Sequence, residues 1–271
     1  MSTGAIDPGS LSPQKVQALL SQYDPRGQAR AIVYRSYDRT LTLGSGRGGG
    51  VVVDTVTGQV RPRPSALARV LGTARGLHET LLVDAGWLVT TSTAAMLFIV
   101  LLGVLMGWPR FKNTLAGWHK AMAWGPLPLI ILSPLTGLMM ALGITFITPP
   151  ASPPAARSAP PLTLQEAVQI VGRDHDLSSL IWMRPLGGRL AARLAKDGEY
   201  RVYAVTRDGT MPLQRNWPRL WHEGNFAGAW SAAMNAIISM AMIGLLATGI
   251  WGWLRRQLRR RARRLHQAAA A

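Results

Sequence analysis

The chain has 271 residues, 48% of them hydrophobic, and a formal net charge of +17. In a soluble domain that charge would suggest nucleic acid, but much of it lies in "RRQLRRRARR" (255–264), directly behind an apolar run. There it reads as a topogenic signal, and no nucleic-acid partner is assigned. The absence of cysteine excludes disulfides, thiolate-held iron–sulfur clusters and covalent c-type haem, leaving His, Met or carboxylate as metal ligands.

Residues 1–80 form a first small α+β domain. "LSPQKVQALLSQY" (11–23) has helical apolar spacing behind Ser12, a hydroxyl suited to N-capping. "ARAIVYRSY" (29–37) and "GGVVVDTVTGQV" (49–60) alternate as strands, the second ending in the turn signal "DTVTG". The segment "GSGRGGG" (44–50) lacks G-K-[ST] and opens no helix, so it reads as a hairpin loop and not a phosphate cradle. No G-x-G-x-x-G follows a strand, so no flavin or nicotinamide site is visible.

Three apolar runs are placed as spans near 84–108, 121–147 and 227–253. Each is long enough for a hydrocarbon core about 30 Å thick. Pro126, Pro128 and Pro134 predict a kink or broken backbone in the second. Loop 109–120 carries Arg110, Lys112 and Lys120, and the tail 254–271 carries seven arginines; both are expected in the cytoplasm. The C-terminus is then cytoplasmic, and the first domain and residues 148–223 lie outside. Between the second and third spans come a Pro-rich spacer, "TPPASPPAARSAPP" (148–161), and a second small domain, 162–220. The opening residues contain no apolar export segment. Either the first domain stays inside against the arginine rule, or a further span precedes it.

A repeat favours the further span. "LTLQEAVQIVGRD" (162–174) matches 11–23, and "RLAARLA" (189–195) with "YRVYAVTRDGT" (200–210) supply the second set of strands. The parallel continues through His78, the first span and "GWPR" (107–110), against His222, the third span and "GWLR" (252–255). His to Gly spans 29 residues in one copy and 30 in the other. The second copy is preceded by the span entered at His119, so symmetry asks for an equivalent ahead of residue 1. The fold expected is an α-helical membrane bundle, three spans or four with that missing first helix, bearing two extracytoplasmic α+β domains.

"LHETLLVDAGWLV" before the first span, "WHKAMAWGPLPLIILSPLTG" into the second, and the two domains with "VVVDTVTGQV" and "VYAVTRDGT" resemble the PepSY-associated transmembrane family of bacterial inner-membrane proteins. The resemblance covers most of residues 11–256, and it lies in the order of the segments. It implies PepSY-like domains, an inner-membrane location and a link to iron uptake. Some members resemble ferric-siderophore reductases that hold b-type haem on membrane histidines.

The resemblance implies axial haem ligation by His78 and His222, symmetry equivalents at the outer ends of their spans, and by His119 at the inner end of the second. A flat macrocycle needs small neighbours on the same helical face: Ala85 and Gly86 after His78, Ala229 after His222, Ala123 after His119. Trp87, Trp118, Trp124, Trp221 and Trp230 are candidates to pack on a ring edge. Asp54, Asp84, Glu79 and Glu223 are candidates to orient a histidine or an arginine partner of the haem propionates. His175 reads as an exposed loop residue, His266 as a tail residue and the span methionines as packing.

Two functions follow. One is a haem b electron-transfer protein that reduces ferric iron in a siderophore-type chelate at the outer face, fed by an unidentified donor. The other is a non-catalytic, membrane-anchored protein whose small domains bind or regulate a partner or protease. Both need the lipid bilayer, and neither specifies an oligomeric state.

Overall fold

A computed structural model of the chain describes residues 7–44, 50–147 and 162–269. The Pro-rich spacer (148–161), residues 45–49 of the glycine segment and the His266 side chain lie outside the described residues.

Helix α1 (Pro13–Tyr23) begins where the Ser12 hydroxyl accepts the Lys15 amide, and Pro13 opens it without losing an intrahelical hydrogen bond. Strands β1 (Ala31–Arg35), β2 (Thr40–Gly44) and β3 (Gly50–Asp54) form an antiparallel meander. Its last turn is held by Asp54, whose carboxylate accepts the Val56 and Thr57 amides and the Arg61 guanidinium. Those contacts hold the Asp54 pKa below the ordinary carboxylate value. Asp54 is therefore a turn residue and orients no histidine.

The chain then leaves the sheet as α2 (Ala66–Thr80), α3 (Gly86–Leu105), α4 (Leu115–Trp124) and α5 (Leu127–Ala141). It returns as α6 (Leu164–Asp174), where Thr163 and Glu166 close a capping box. Strands β4 (Leu180–Leu186), β5 (Arg189–Lys196), β6 (Glu199–Val205) and β7 (Thr210–Pro212) follow, then α7 (Trp217–Glu223) and α8 (Ala229–Ala269).

The two repeats do not stand apart. Strand β1 pairs antiparallel with β4, Ile32 opposite Met183 and Val33 opposite Trp182, giving one seven-stranded sheet in the order β3-β2-β1-β4-β5-β6-β7. Side chains alternate across a strand. One face presents Ile32, Tyr34, Leu41, Met183, Leu194 and Tyr203 to α1 and α6, which together close a single apolar core. The two helices meet so closely that a Cβ at Gly172 would fall on the Pro13 ring. The other face carries Trp182, Arg184 and Arg193 toward the helices that enter the apolar region.

Among the described residues two helices are long and apolar enough to cross a membrane: α3, and α8 over Ala229–Ala262. Helices α4 and α5 pass the same test together but are bent by 64°, so they count as a third crossing only if taken as one span. The break falls at Gly125–Pro126, where the expected prolines lie, and Pro134 remains inside α5. Helix α4 begins at Leu115 and takes in Trp118, His119 and Lys120, which the sequence assigns to a loop. No residue of α3 is fully buried: it packs along α5 on one side and is exposed on the other. Helix α8 continues unbroken past the apolar segment, carrying the tail arginines from Arg255 onward.

Sheet and α8 are joined through glycines. Gly228 donates its amide to the Gly198 carbonyl at 3.0 Å, and Tyr200 donates to Asn225. A Cβ on Gly198, at φ 75°, would lie 2.8 Å from Gly228 Cα, so the loop docks only on bare backbone.

His175 is not an exposed loop histidine. It ends α6, half-buried, with Nε2 2.9 Å from Thr210 Oγ1 and its ring centroid 4.6 Å from that of Tyr203. Burial, and next Lys196, push its pKa below the ordinary histidine value against the pull of Asp174.

Ile32 is fully buried at the seam between repeats. Ile32→Ala is expected to cost about 2–5 kcal/mol. Hydrogen exchange should show β4 amides opening together with those of β1; exchange confined to β1–β3 would mean two independent units. For His175, an unfolded chain binds a proton below about pH 6.5 while the folded one resists it, so stability falls as pH drops through that range. His175→Gln is expected to flatten the slope between about pH 6.5 and 5, above carboxylate titration, in denaturant melts.

Candidate functional site

His78 lies in the last turn of α2 and His222 in the last turn of α7. These are separate short helices that end before the spans. Leu81 closes α2 and Gly224 closes α7, both in the left-handed region. The small residues expected beside the two imidazoles, Ala85 and Gly86 after His78 and Ala229 after His222, therefore belong to the next helix. The same-face spacing holds only for His119 and Ala123, both on α4.

The imidazoles nevertheless converge. Their Nε2 atoms are 3.5 Å apart, their centroids 5.7 Å, and their planes differ by 22°. The centroid separation exceeds the nitrogen separation by about two ring radii, so the nitrogens point at each other along the line joining the rings. This is an end-on pair and not a face-to-face stack. At that distance one Nε2–H donates to the lone pair of the other ring, or a positive centre between the rings accepts both lone pairs.

His222 is locked from behind. Its Nδ1 is 2.9 Å from the Ser133 carbonyl of α5, which can only accept, so Nδ1 carries the proton and Nε2 is left with its lone pair. Thr136 Oγ1 sits 3.4 Å from the same nitrogen but is occupied in donating to Leu132 O. Gly137 admits the ring: a Cβ there would fall 2.9 Å from His222 Cε1.

His119 is held in the same way at another level. Its Nδ1 lies 2.8 Å from Thr248 Oγ1, and that hydroxyl donates its one hydrogen to Gly244 O at 2.6 Å. The imidazole must then be the donor, which again leaves Nε2 bare. Gly249 lies beside it, at the centre of an apolar groove on α8 lined by Leu245, Leu246, Ile250 and Trp253. Asn235 of α8 contacts Glu223, next to His222, and Thr248 contacts His119. Along α8 that separation is about 20 Å at a rise of ~1.5 Å per residue. His119 meets no second histidine among the described residues.

Arginines surround the upper pair. The segments "RGLHE" (75–79) and "RLWHE" (219–223) repeat the order Arg-x-x-His-Glu. Arg75 pairs with Glu79 at 2.8 Å and Arg219 lies 3.7 Å from Glu223. Glu223 also takes Arg193 Nη2 at 2.6 Å and Asn225 Nδ2 at 3.0 Å, tying α7 to β5. Glu79 and Glu223 are thus engaged by arginine, and Asp84 occupies a left-handed turn ahead of α3. The Arg-x-x-His-Glu repeat is the sequence signal that would have located this cluster. Of the tryptophans, Trp87, Trp118 and Trp230 are exposed on the helices, Trp124 packs on Trp108, and Trp221 packs between Trp217 and Phe226.

A porphyrin fits the donor set. Among the described residues no group of three or more His, Asp or Glu side chains is placed to hold a metal ion. Two imidazoles are too few for a tetrahedral protein site, whereas a macrocycle brings its own equatorial nitrogens and asks the protein only for axial ones.

An antiparallel sheet domain seated on helices of membrane-spanning length and composition, with histidines where the two meet, defines a membrane protein with an extramembrane sheet. The chain belongs to the PepSY-associated TM region family, whose model matches residues 4–256. No curated protein and no solved structure matches it.

Solid-state nitrogen NMR on histidine-labelled protein should find His119 and His222 protonated at Nδ1 and bare at Nε2. Thr248→Val is expected to release His119 alone into mixed tautomers, and Gly137→Val to do so for His222 alone. Unchanged signals in both variants would contradict the assigned hydrogen bonds.

Proposed function

We propose that this chain is a haem b electron-transfer protein of the bacterial inner membrane, reducing ferric iron in a chelate at its sheet-bearing face, which is periplasmic, while its C-terminus is cytoplasmic. The observation that carries the reading is the end-on approach of the His78 and His222 Nε2 atoms, one from each repeat. A b-type haem, when bound, supplies a one-electron couple between ferric and ferrous iron.

His78 and His222 would hold that group, and His119 a second one nearer the cytoplasmic end. The Ser133 carbonyl and Thr248 hydroxyl orient His222 and His119 from behind and keep their Nε2 atoms free to ligate. Reduction of a chelated ferric ion weakens its hold, because hard oxygen donors favour the higher charge. The electron donor is a separate, unidentified molecule.

Dithionite-reduced minus oxidised spectra of purified membranes test this. Wild type is expected to show b-type Soret and α bands. His78→Ala or His222→Ala should lose most of the signal of one haem, and His119→Ala should affect a different fraction. A folded protein without visible absorbance, however much haem precursor the cells receive, would reject the reading in favour of a non-catalytic, partner-binding role.

A further inference from the structure

The arginines around the imidazole pair are not all employed. Arg193 is 7% exposed and committed to Glu223. Arg75 is satisfied by Glu79 on its own helix. Arg184, exposed on the same sheet face as Arg193, makes no ion pair among the described residues; its guanidinium lies 4.5 Å from the centroid of Trp182. Arg219 Nε is buried without a hydrogen-bond partner and lies 3.7 Å from a carboxylate that Arg193 already engages.

Four guanidinium groups thus face two carboxylates in the space between the sheet and the ends of α2 and α7. Arg184 is exposed on its strand; partial desolvation first, then Arg219, Arg193 and Arg75 in turn, hold its pKa below the ordinary arginine value. Arg75 and Arg219 each stand one helical turn before a histidine of the pair, which places both on the helix ends that carry the imidazoles. A cationic surplus held together by folding, with one guanidinium over an indole, suits a planar anion that takes two parallel hydrogen bonds.

We propose that Arg184 and Arg219, backed by Arg75, form a carboxylate-binding site beside the His78–His222 pair. Two sources share this chemistry. One is the propionate pair of a porphyrin, which rests on the function proposed above. The other is a soluble ferric chelate with carboxylate arms, which does not need the haem to be present.

The test uses the full chain in detergent and has two arms. In the first, citrate and ferric citrate are titrated calorimetrically into haem-free protein. In the second, haem and haem dimethyl ester, whose carboxylates are blocked, are titrated by absorbance. The variants are Arg184→Gln, Arg219→Gln and Arg184→Lys, with the exposed Arg26→Gln as a control for net charge.

A loss of citrate affinity of tenfold or more in both Gln variants, not shared by Arg26→Gln, assigns the site to a soluble carboxylate. The same loss for haem but not for its ester assigns it to the propionates. Arg184→Lys should retain part of the affinity, since it keeps the charge and loses the planar fork. If haem fails to bind wild type while citrate affinity follows Arg184, the haem reading falls and the carboxylate site stands. If neither arm separates the Gln variants from the Arg26→Gln control, the proposal is overturned.

Discussion

The ladder between β1 and β4 is the interaction on which the rest of the architecture depends. It joins two halves of the chain that lie about 150 residues apart and merges two three- and four-stranded units into one sheet. Once that seam forms, α1 and α6 share one face and seal a common core. The opposite face is left to Arg184, Arg193 and the segments leading into the membrane. Helices α2 and α7, which leave the two halves of the sheet, are brought to the same region, and their terminal histidines meet. Without the seam His78 and His222 would belong to independent domains, and nothing local would hold their nitrogens in line.

The polar hardware around the histidines follows a common plan. Each oriented imidazole is backed by a helical acceptor whose own hydrogen-bonding capacity is already defined: a carbonyl for His222, a hydroxyl spent on the helix for His119. Each lies beside a glycine that leaves room for the ring, Gly137 in one case and Gly249 in the other. In an apolar environment an imidazole with an undefined tautomer would waste a hydrogen bond at one nitrogen or the other. Fixing Nδ1 from behind leaves one unsatisfied lone pair aimed forward, which is the arrangement a ligating histidine requires. The same physical rule recurs at both depths, on different helices.

Much of the local structure was legible in the chain itself. Ser12 and Thr163 cap the helices they were expected to cap, and the break between α4 and α5 lies among the prolines; β1, β3, β5 and β6 fall on the alternating stretches, whereas β2, β7 and the seam strand β4 were not read as strands. The family resemblance is met by the match over residues 4–256. The histidine neighbourhoods were read less well. Spacing along one helix failed at His78 and His222 because α2 and α7 stop at left-handed residues before the apolar helices begin. His175 was misjudged because its partners, Thr210 and Tyr203, come from strands far along the chain.

By itself the sequence determined the apolar segments, the repeat, the caps and the kink, because each rests on forces that act within a few residues: hydrophobic periodicity, backbone hydrogen bonds and the fixed φ of proline. Only the tertiary structure decided that the repeats share one sheet, that the Nε2 atoms of His78 and His222 face each other at 3.5 Å, and that Arg184 is left without an acid. Those outcomes depend on strand pairing and packing between segments far apart in sequence, where no local preference acts and the energy of the assembled core selects the arrangement.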